Sequence, residues 1–122
     1  MMPKKILAVD DDGDILEVIK IILEEEGYEV TTKTNGEEMI TAITDLRPDL
    51  ILLDVMLGGI DGRDICRAIK SHSIFKFIPV IMISASHNLK SFLQLPGSPN
   101  DFLPKPFDID SLIRMVKAQI AA

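Results

Sequence analysis

Short apolar runs alternate with longer amphipathic segments along the chain. Three of the runs are apolar almost throughout and have the length of strands: residues 5–9 (KILAV), 50–53 (LILL) and 79–84 (PVIMIS). Strands of this kind are covered on both faces, which is typical of a parallel sheet. Residues 28–32 (YEVTT) alternate and predict a more exposed strand, and 101–105 (DFLPK) fall where a fifth strand is due.

Helical periodicity fills the intervals between these runs. Gly27 is placed to end the first helix, and Asn35, Asp61 and Asp108 are predicted to cap the N-termini of three others. The residues predicted to form the inner helix faces are Ile15, Val18, Ile19, Ile22, Leu23, Met39, Ile40, Ile43, Ile65, Cys66, Ile69, Leu112, Ile113, Val116 and Ile120. A further helix over residues 86–95 (SHNLKSFLQL) should be short, because two prolines and a glycine follow it.

The predicted order is therefore a strand followed by a helix, five times over. Right-handed crossovers turn such a chain into a doubly wound parallel sheet with helices on both faces. We expect an α/β fold of the flavodoxin-like (βα)5 kind, with strand order 2-1-3-4-5. Since 122 residues suit one hydrophobic core, we expect a single domain over residues 1–122.

Charge and cysteine content narrow the classes of function. With 13 basic and 19 acidic residues the formal net charge is -6, which argues against direct binding to nucleic acid. Cys66 is the single cysteine, so an intrachain disulfide and a multi-thiolate zinc site are excluded. The chain carries neither an apolar signal sequence nor a run long enough to span a bilayer, so we expect a cytoplasmic protein that does not contact membranes.

Acidic residues follow two of the predicted strands at the edge where such sheets bind ligands. Asp10 and Asp11 follow the first strand and Asp54 follows the third, and these strands are neighbours in the expected order. Three carboxylates so close cannot all stay ionised without a cation. Mg²⁺ suits an all-oxygen site that also accepts a phosphate oxygen. Asp12 and Asp14 are better explained as acids at a helix N-terminus.

Two further residues at this edge suit an incoming anion. Ser84 ends the fourth predicted strand and Lys105 the fifth. A lysine and a hydroxyl beside a metal ion can bind and neutralise the oxygens of a transferring phosphoryl group. The pattern therefore predicts phosphoryl transfer with a carboxylate as the nucleophile.

Four segments together resemble the receiver domains of two-component response regulators. They are residues 6–15 (ILAVDDDGDI), 48–62 (PDLILLDVMLGGIDG), 79–85 (PVIMISA) and 101–107 (DFLPKPF), and the resemblance extends over nearly the whole chain. It implies a CheY-like signalling domain that accepts a phosphoryl group from the phosphohistidine of a sensor histidine kinase or phosphotransfer protein. Such a domain passes its signal to a downstream output domain or protein. It promotes its own phosphorylation and dephosphorylation but acts on no separate substrate.

The same resemblance assigns roles to individual residues. Asp54 would be the phosphoacceptor, with Lys105 and Ser84 contacting the phosphoryl oxygens. The Mg²⁺ ligands would be Asp10, Asp11, Asp54 and the backbone carbonyl of Met56. On phosphorylation Ser84 would move toward Asp54 and Phe102 would turn inward. Phosphorylation-dependent homodimerisation is compatible with this scheme.

The chain departs from the family pattern in two places, and other functions stay open. Gly58 stands where the family commonly has a proline, and the prolines after residue 95 alter the helix of the signalling face. A receiver-like interaction module that works without phosphorylation is the main alternative. A haloacid-dehalogenase-like phosphatase would need a second aspartate where Met56 stands. A flavodoxin-like cofactor site would bind a phosphate after the first strand without a metal ion. The acidic residues at that position would repel such an anion, which argues against this function.

Overall fold

The structure, a computed structural model, describes residues 2–85 and 96–121. The helix predicted over 86–95 lies outside the described residues. The strands of the main sheet are β1 (Lys5–Val9), β2 (Glu29–Lys33), β3 (Leu50–Asp54), β4 (Val80–Ser84) and β5 (Asp101–Pro104). The α-helices among the described residues are α1 (Gly13–Glu25), α2 (Met39–Leu46), α3 (Gly62–Ser71) and α4 (Ile109–Ala121).

The five strands form one sheet in the order β2-β1-β3-β4-β5, and every neighbouring pair is parallel. This confirms the predicted doubly wound, flavodoxin-like α/β fold. The register aligns Val9 with Leu53, Asp54 with Ile83, and Ser84 with Pro104. The carboxyl ends of β1, β3, β4 and β5 therefore lie along one edge of the sheet.

Both faces of the sheet are covered, as apolar strands require. One face packs against α2 and α3, and the other against α1 and α4. All five residues of β3 are buried, whereas Val30 is the one buried residue of β2. Cys66, on α3, is fully buried in the first of these cores, as its spacing predicted.

Asp61 and Asp108 cap their helices as predicted, and Asp12 caps α1, where the sequence predicted only an acid at the helix N-terminus. The side chains of Asp12, Asp61 and Asp108 each accept a backbone N–H from a residue two or three positions ahead, which satisfies donors that a helix leaves free. Asp14 lies in the first turn of α1. Gly27, two residues beyond that helix, has φ +95, a left-handed conformation that glycine adopts without strain.

The predicted cap of α2 is wrong. Helix α2 begins at Met39, and the residue before it, Glu38, has a left-handed φ of 54. Asn35 instead accepts the backbone N–H of Glu37 at 3.0 Å and closes a local turn. Side-chain bonds of this kind compete with helix formation, and the helix starts three residues later than an Asn35 cap requires. At the other end Arg47 is also left-handed, with φ 51.

Two residues predicted to face the core are exposed instead: Val18 on α1 is 50% exposed and Ile40 on α2 is 40% exposed. The buried stripe of α1 consists of Leu16, Ile19 and Leu23. A helix that packs on one sheet buries one face, so an apolar residue outside that stripe remains in solvent.

Two shorter features complete the described chain. Met56–Leu57 pairs with Ile60–Asp61 in an antiparallel hairpin directly after β3, and Phe75–Phe77 forms a 3₁₀ turn before β4. Within residues 2–85 and 96–121, none of the helices has the length and apolar character that crossing a bilayer requires.

Candidate functional site

Three carboxylates meet at the carboxyl edge of the sheet. Asp10, Asp11 and Asp54 each offer an oxygen, and these oxygens all lie within 4.8 Å of one another. Asp10 and Asp54 are buried, whereas Asp11 is exposed. The structure thus brings together the three acids that the sequence predicted to converge, because β1 and β3 are adjacent and end in register.

The main chain and a neighbouring amide fix the orientation of Asp10. Its backbone N–H donates to the carbonyl of Lys33 at 3.1 Å, which extends the pairing of β1 and β2 by one residue. Its Oδ1 accepts the backbone N–H of Asp12 at 2.9 Å. The residue that caps α1 therefore also holds an acid of the cluster.

Lys105 reaches this cluster from the outer strand. Its Nζ lies 2.9 Å from Asp10 Oδ2 and 3.5 Å from Asp54 Oδ2. Its backbone N–H donates to the carbonyl of Ser84 at 2.8 Å, and the Lys105–Pro106 peptide bond that follows is cis. One ammonium faces three carboxylates, so the cluster keeps an excess of negative charge.

The electrostatics of Asp54 reflect this arrangement. Burial, together with the negative charge of Asp10, raises the pKa of Asp54 from 3.8 to about 6, against the opposing effects of Lys105 and of two backbone N–H groups. Burial would lower the pKa of Lys105, but its hydrogen bond and the charges of the two acids outweigh that effect and raise it. The lysine stays an ammonium while the acids repel each other.

The other predicted site residues occupy the same edge or its surroundings. Ser84 is buried at the end of β4. Met56 lies two residues past Asp54 in the short hairpin and is 71% exposed. Phe102, in β5, is partly buried against the core beneath α2 and α3. The ligand role of the Met56 carbonyl and the switch roles of Ser84 and Phe102 stay predictions.

Gly62 is a site residue that sequence reasoning missed. A Cβ on Gly62 would lie 2.0 Å from the backbone oxygen of Asp54, which no side chain can do. The Gly62 N–H also donates to the carbonyl of Val55 at 2.7 Å. The start of α3 therefore rests directly on the main chain that carries Asp54. The Asp61-Gly62 pair was the available signal, but the sequence offered only its capping role.

The donor set determines the chemistry that the edge can support. Clustered carboxylate oxygens with excess negative charge suit a hard divalent cation. A buried carboxylate beside an ammonium can act as a nucleophile whose reaction partner is itself anionic. No such cluster of three candidate ligands occurs elsewhere in the described part of the chain.

Comparison with known proteins agrees with this site. The family model for the response regulator receiver domain matches residues 6–117. The DNA-binding response regulator MtrA of Mycobacterium tuberculosis is 36% identical over 120 residues, which cover 98% of this chain and 51% of that protein. The chain thus spans about half the length of the curated relatives it matches.

Two solved structures share the fold over nearly their whole length. The chemotaxis response regulator CheY4 of Vibrio cholerae has a TM-score of 0.86 and 27% identity, with coverage of 96% of this chain and 98% of that one. A CheY-like response regulator receiver domain protein from Methanospirillum hungatei has a TM-score of 0.87 and 30% identity, with coverage of 98% and 94%. This chain therefore belongs to the response regulator receiver domain family of two-component signalling.

Proposed function

We propose that Asp54 is the phosphoacceptor of this receiver and that it takes its phosphoryl group from a phosphohistidine. The observation that carries the proposal is the position of its carboxylate: buried, within 4.8 Å of two other acids, and 3.5 Å from the Lys105 ammonium. A carboxylate in this setting is ionised at neutral pH and has a fixed cation beside it for the incoming anion.

The transfer makes one bond and breaks one. An Asp54 carboxylate oxygen bonds to phosphorus as the phosphorus–nitrogen bond of the phosphohistidine breaks, and the imidazole leaves with the electron pair and takes up a proton. Lys105 would neutralise charge on the transferred oxygens, and the Ser84 hydroxyl would contact them. Water later hydrolyses the acyl phosphate and restores the carboxylate. No separate substrate is turned over.

The residues that would hold Mg²⁺ are Asp10, Asp11, Asp54 and the Met56 carbonyl. They fit the ion because they are oxygen donors and because the cluster carries more negative charge than Lys105 balances. When bound, Mg²⁺ supplies charge neutralisation to the phosphoryl oxygens. Asp12, whose N–H holds Asp10, would orient the site from outside the ligand set.

Signal output would follow from the added charge at Asp54. Ser84 would shift toward the phosphoryl group, and Phe102, now partly buried, would turn further inward beside β5. The partners we propose are a sensor histidine kinase or phosphotransfer protein upstream and an output domain or protein downstream. That the 122 residues form a single receiver domain, that they dimerise on phosphorylation and that they act in the cytoplasm are further parts of this proposal.

Intact-mass spectrometry after incubation with phosphoramidate, a small molecule with a phosphorus–nitrogen bond, tests the proposal. We expect wild type to gain one phosphoryl group in Mg²⁺ and none in EDTA, and Asp54→Asn to gain none in either. Asp12→Asn is the matched control, since it makes the same change nearby and asparagine caps a helix equally well. Phosphorylation of Asp54→Asn, or none of folded wild type, would refute the proposal. The latter result would favour the interaction module that works without phosphorylation.

A further inference from the structure

A second candidate binding site lies at the opposite edge of the sheet from Asp54. A groove of about 480 Å³ runs between the end of α2 and the turn that precedes β4. We call it the basal groove. Its lining residues are Thr44, Arg47, Pro48, His72, Ile74, Phe75 and Ile78. Because Pro48 precedes β3 and Ile78 precedes β4, the groove is at the amino ends of these strands, about one strand length (roughly 16 Å) from the acid cluster.

The walls of the basal groove are apolar and partly open to water. Ile74 is 72% exposed, and the Phe75 ring stacks on His72 with centroids 4.1 Å apart. Volumes of 300–1,000 Å³ are about those of small-molecule sites, which are mostly apolar with a few polar groups for orientation. A ligand with an apolar body would cover Ile74 and contact the stacked rings.

Two of the polar groups of the groove, His72 and Arg47, can donate to a ligand. The Nδ1 atom of His72 accepts the backbone N–H groups of Ile74 and Phe75, at 3.1 and 3.3 Å. The ring hydrogen of the neutral imidazole is therefore on Nε2, which is a donor. The Thr44 hydroxyl hydrogen is used on the Ile40 carbonyl. Arg47 adds a planar group of five N–H donors.

Arg47 is a cation without a carboxylate partner in the described part of the chain. Asp49, two residues away, instead accepts the backbone N–H of Lys5 at 2.8 Å. Lys70 and Lys76 lie at the same end of the molecule, where the Lys70 ammonium donates to the Ile78 carbonyl. Arg47 lines the groove and is the cation there that can pair with an anionic group of a ligand.

The backbone supports the same conclusion. Arg47 ends α2 in a left-handed conformation, φ 51, which glycine adopts without the steric cost that a side chain incurs. The position therefore carries an arginine at some cost in stability. Residues in sparsely populated backbone conformations cluster at ligand-binding sites, and Arg47 lines the basal groove.

We propose that the basal groove binds a small organic carboxylate with an apolar body, its carboxylate paired with Arg47 and its body packed on Ile74, Phe75 and Ile78. This site is separate from the proposed phosphoacceptor. The Asp54→Asn variant should therefore bind the carboxylate as wild type does. If no binding to the basal groove were found, the phosphorylation proposal would be unaffected.

Amide shifts in a nitrogen-15-labelled full chain, titrated with 3-phenylpropionate, test the proposal. We expect saturable shifts confined to residues 44–48 and 72–78. The neutral analogue 3-phenylpropanamide should bind at least tenfold more weakly, because it cannot make the charge-assisted pair with Arg47. Equal binding of the two probes, or shifts centred on Lys105 instead, would overturn the proposal.

Variants sharpen the test. Arg47→Gly should lose at least tenfold in affinity for 3-phenylpropionate while its melting temperature stays level or rises, since glycine suits φ 51. Ile74→Ser removes an exposed wall and should lose severalfold. Arg114→Gln makes a matched change of charge on α4, outside the groove, and should bind as wild type does. Undiminished affinity in Arg47→Gly would refute the assignment of Arg47.

Discussion

Helix α3 runs from one edge of the sheet to the other, and each of its ends adjoins a charged side chain, buried at the first end and half-buried at the second, that is held in a different way. At its start, Gly62 rests on Asp54, whose carboxylate shares the Lys105 ammonium with another acid. Near its end, the Lys70 ammonium donates to the Ile78 carbonyl at 2.8 Å and to Asn100 Oδ1 at 2.6 Å. Lys70 has no ion pair within the described residues.

Comparison of the two ends shows how the surroundings of a charged group differ between a reactive site, at Asp54, and a structural one, at Lys70. Dipoles around Lys70 satisfy its hydrogen-bonding capacity without attracting a further ion, although burial lowers the pKa of its ammonium. Around Asp54 the charges are unequal in number, and the repulsion that remains is relieved only when a cation or proton arrives. The first arrangement stabilises the fold, and the second stores affinity for a ligand.

Gly62→Ala should have the largest effect on stability, because its Cβ would lie 2.0 Å from a backbone oxygen that cannot move alone. We expect the free energy of unfolding in urea to fall by about 3 kcal/mol. Gly59→Ala is the control, since a Cβ there meets nothing within 4 Å. Equal stability of the two variants would show that α3 does not depend on this contact.

Midway along α3, Cys66 should resist alkylation. Burial raises the pKa of its thiol from 9.0 to about 11, so at a pH well below 9 the thiolate is about 100-fold scarcer than in the unfolded chain. We expect iodoacetamide to react at least that much more slowly with the native protein than in concentrated guanidinium chloride. Comparable rates would contradict the burial of Cys66.

The same shift has a consequence for stability. Unfolding releases a thiol that ionises more readily, so stability should decline as pH rises from 9.0 toward 11. Cys66→Ala should lack this part of the decline.

Lys70→Met should cost about 2 kcal/mol of unfolding free energy, because it removes the ammonium that donates to the Ile78 carbonyl and leaves Asn100 Oδ1 with the Val80 N–H alone. The loss should be the same with and without Mg²⁺, since this end holds no acid cluster. Lys76→Met, an exposed neighbour, should stay within about 0.5 kcal/mol of wild type. If Lys70→Met had the same unfolding free energy as wild type, water would be replacing the hydrogen bonds of the ammonium.

Asp54→Asn should produce the smallest change in the free energy of unfolding, and it should stabilise the fold rather than destabilise it. The raised pKa of Asp54 means that its ionised form is less favourable in the folded state than in the unfolded chain, so removing the charge at pH 7 should stabilise the fold. We expect a gain of about 1 kcal/mol in EDTA, discounted for solvent screening. Mg²⁺ should stabilise wild type more than Asp54→Asn. Equal stabilisation would exclude Asp54 from the metal site.

The sequence predicted most reliably what burial alone decides. Strands such as β1 and β3 are apolar throughout because both of their faces are covered, so their positions could be inferred within a residue. Asp10, Asp11 and Asp54 could be grouped because parallel strands end at a common edge. Gly62 could not be recognised, because its constraint is a contact with Asp54 across the fold.

Local signals failed where two local interactions compete. Asn35 has the chemistry of an N-cap, but it forms a turn with Glu37, and only the packing of Met39 and Ile43 into the core determines where α2 starts. Val18 fits the helical period and yet faces solvent, since the width of a buried stripe depends on the neighbouring helix. The basal groove has no sequence pattern at all, because it joins the ends of α2 and of a turn some 25 residues later.

The reach of Lys105 has a thermodynamic consequence. It directly follows the outer strand β5, yet its ammonium contacts Asp10, which follows β1, and Asp54, which ends β3, beyond the intervening strand β4. The potential at Asp54 therefore depends on where the outer strand lies. Coupling between two binding events is reciprocal. A partner that binds this outer strand more tightly when Asp54 is phosphorylated must shift the phosphorylation equilibrium by the same factor. Binding of an output partner at this edge of the sheet therefore also raises the phosphorylated fraction of the protein.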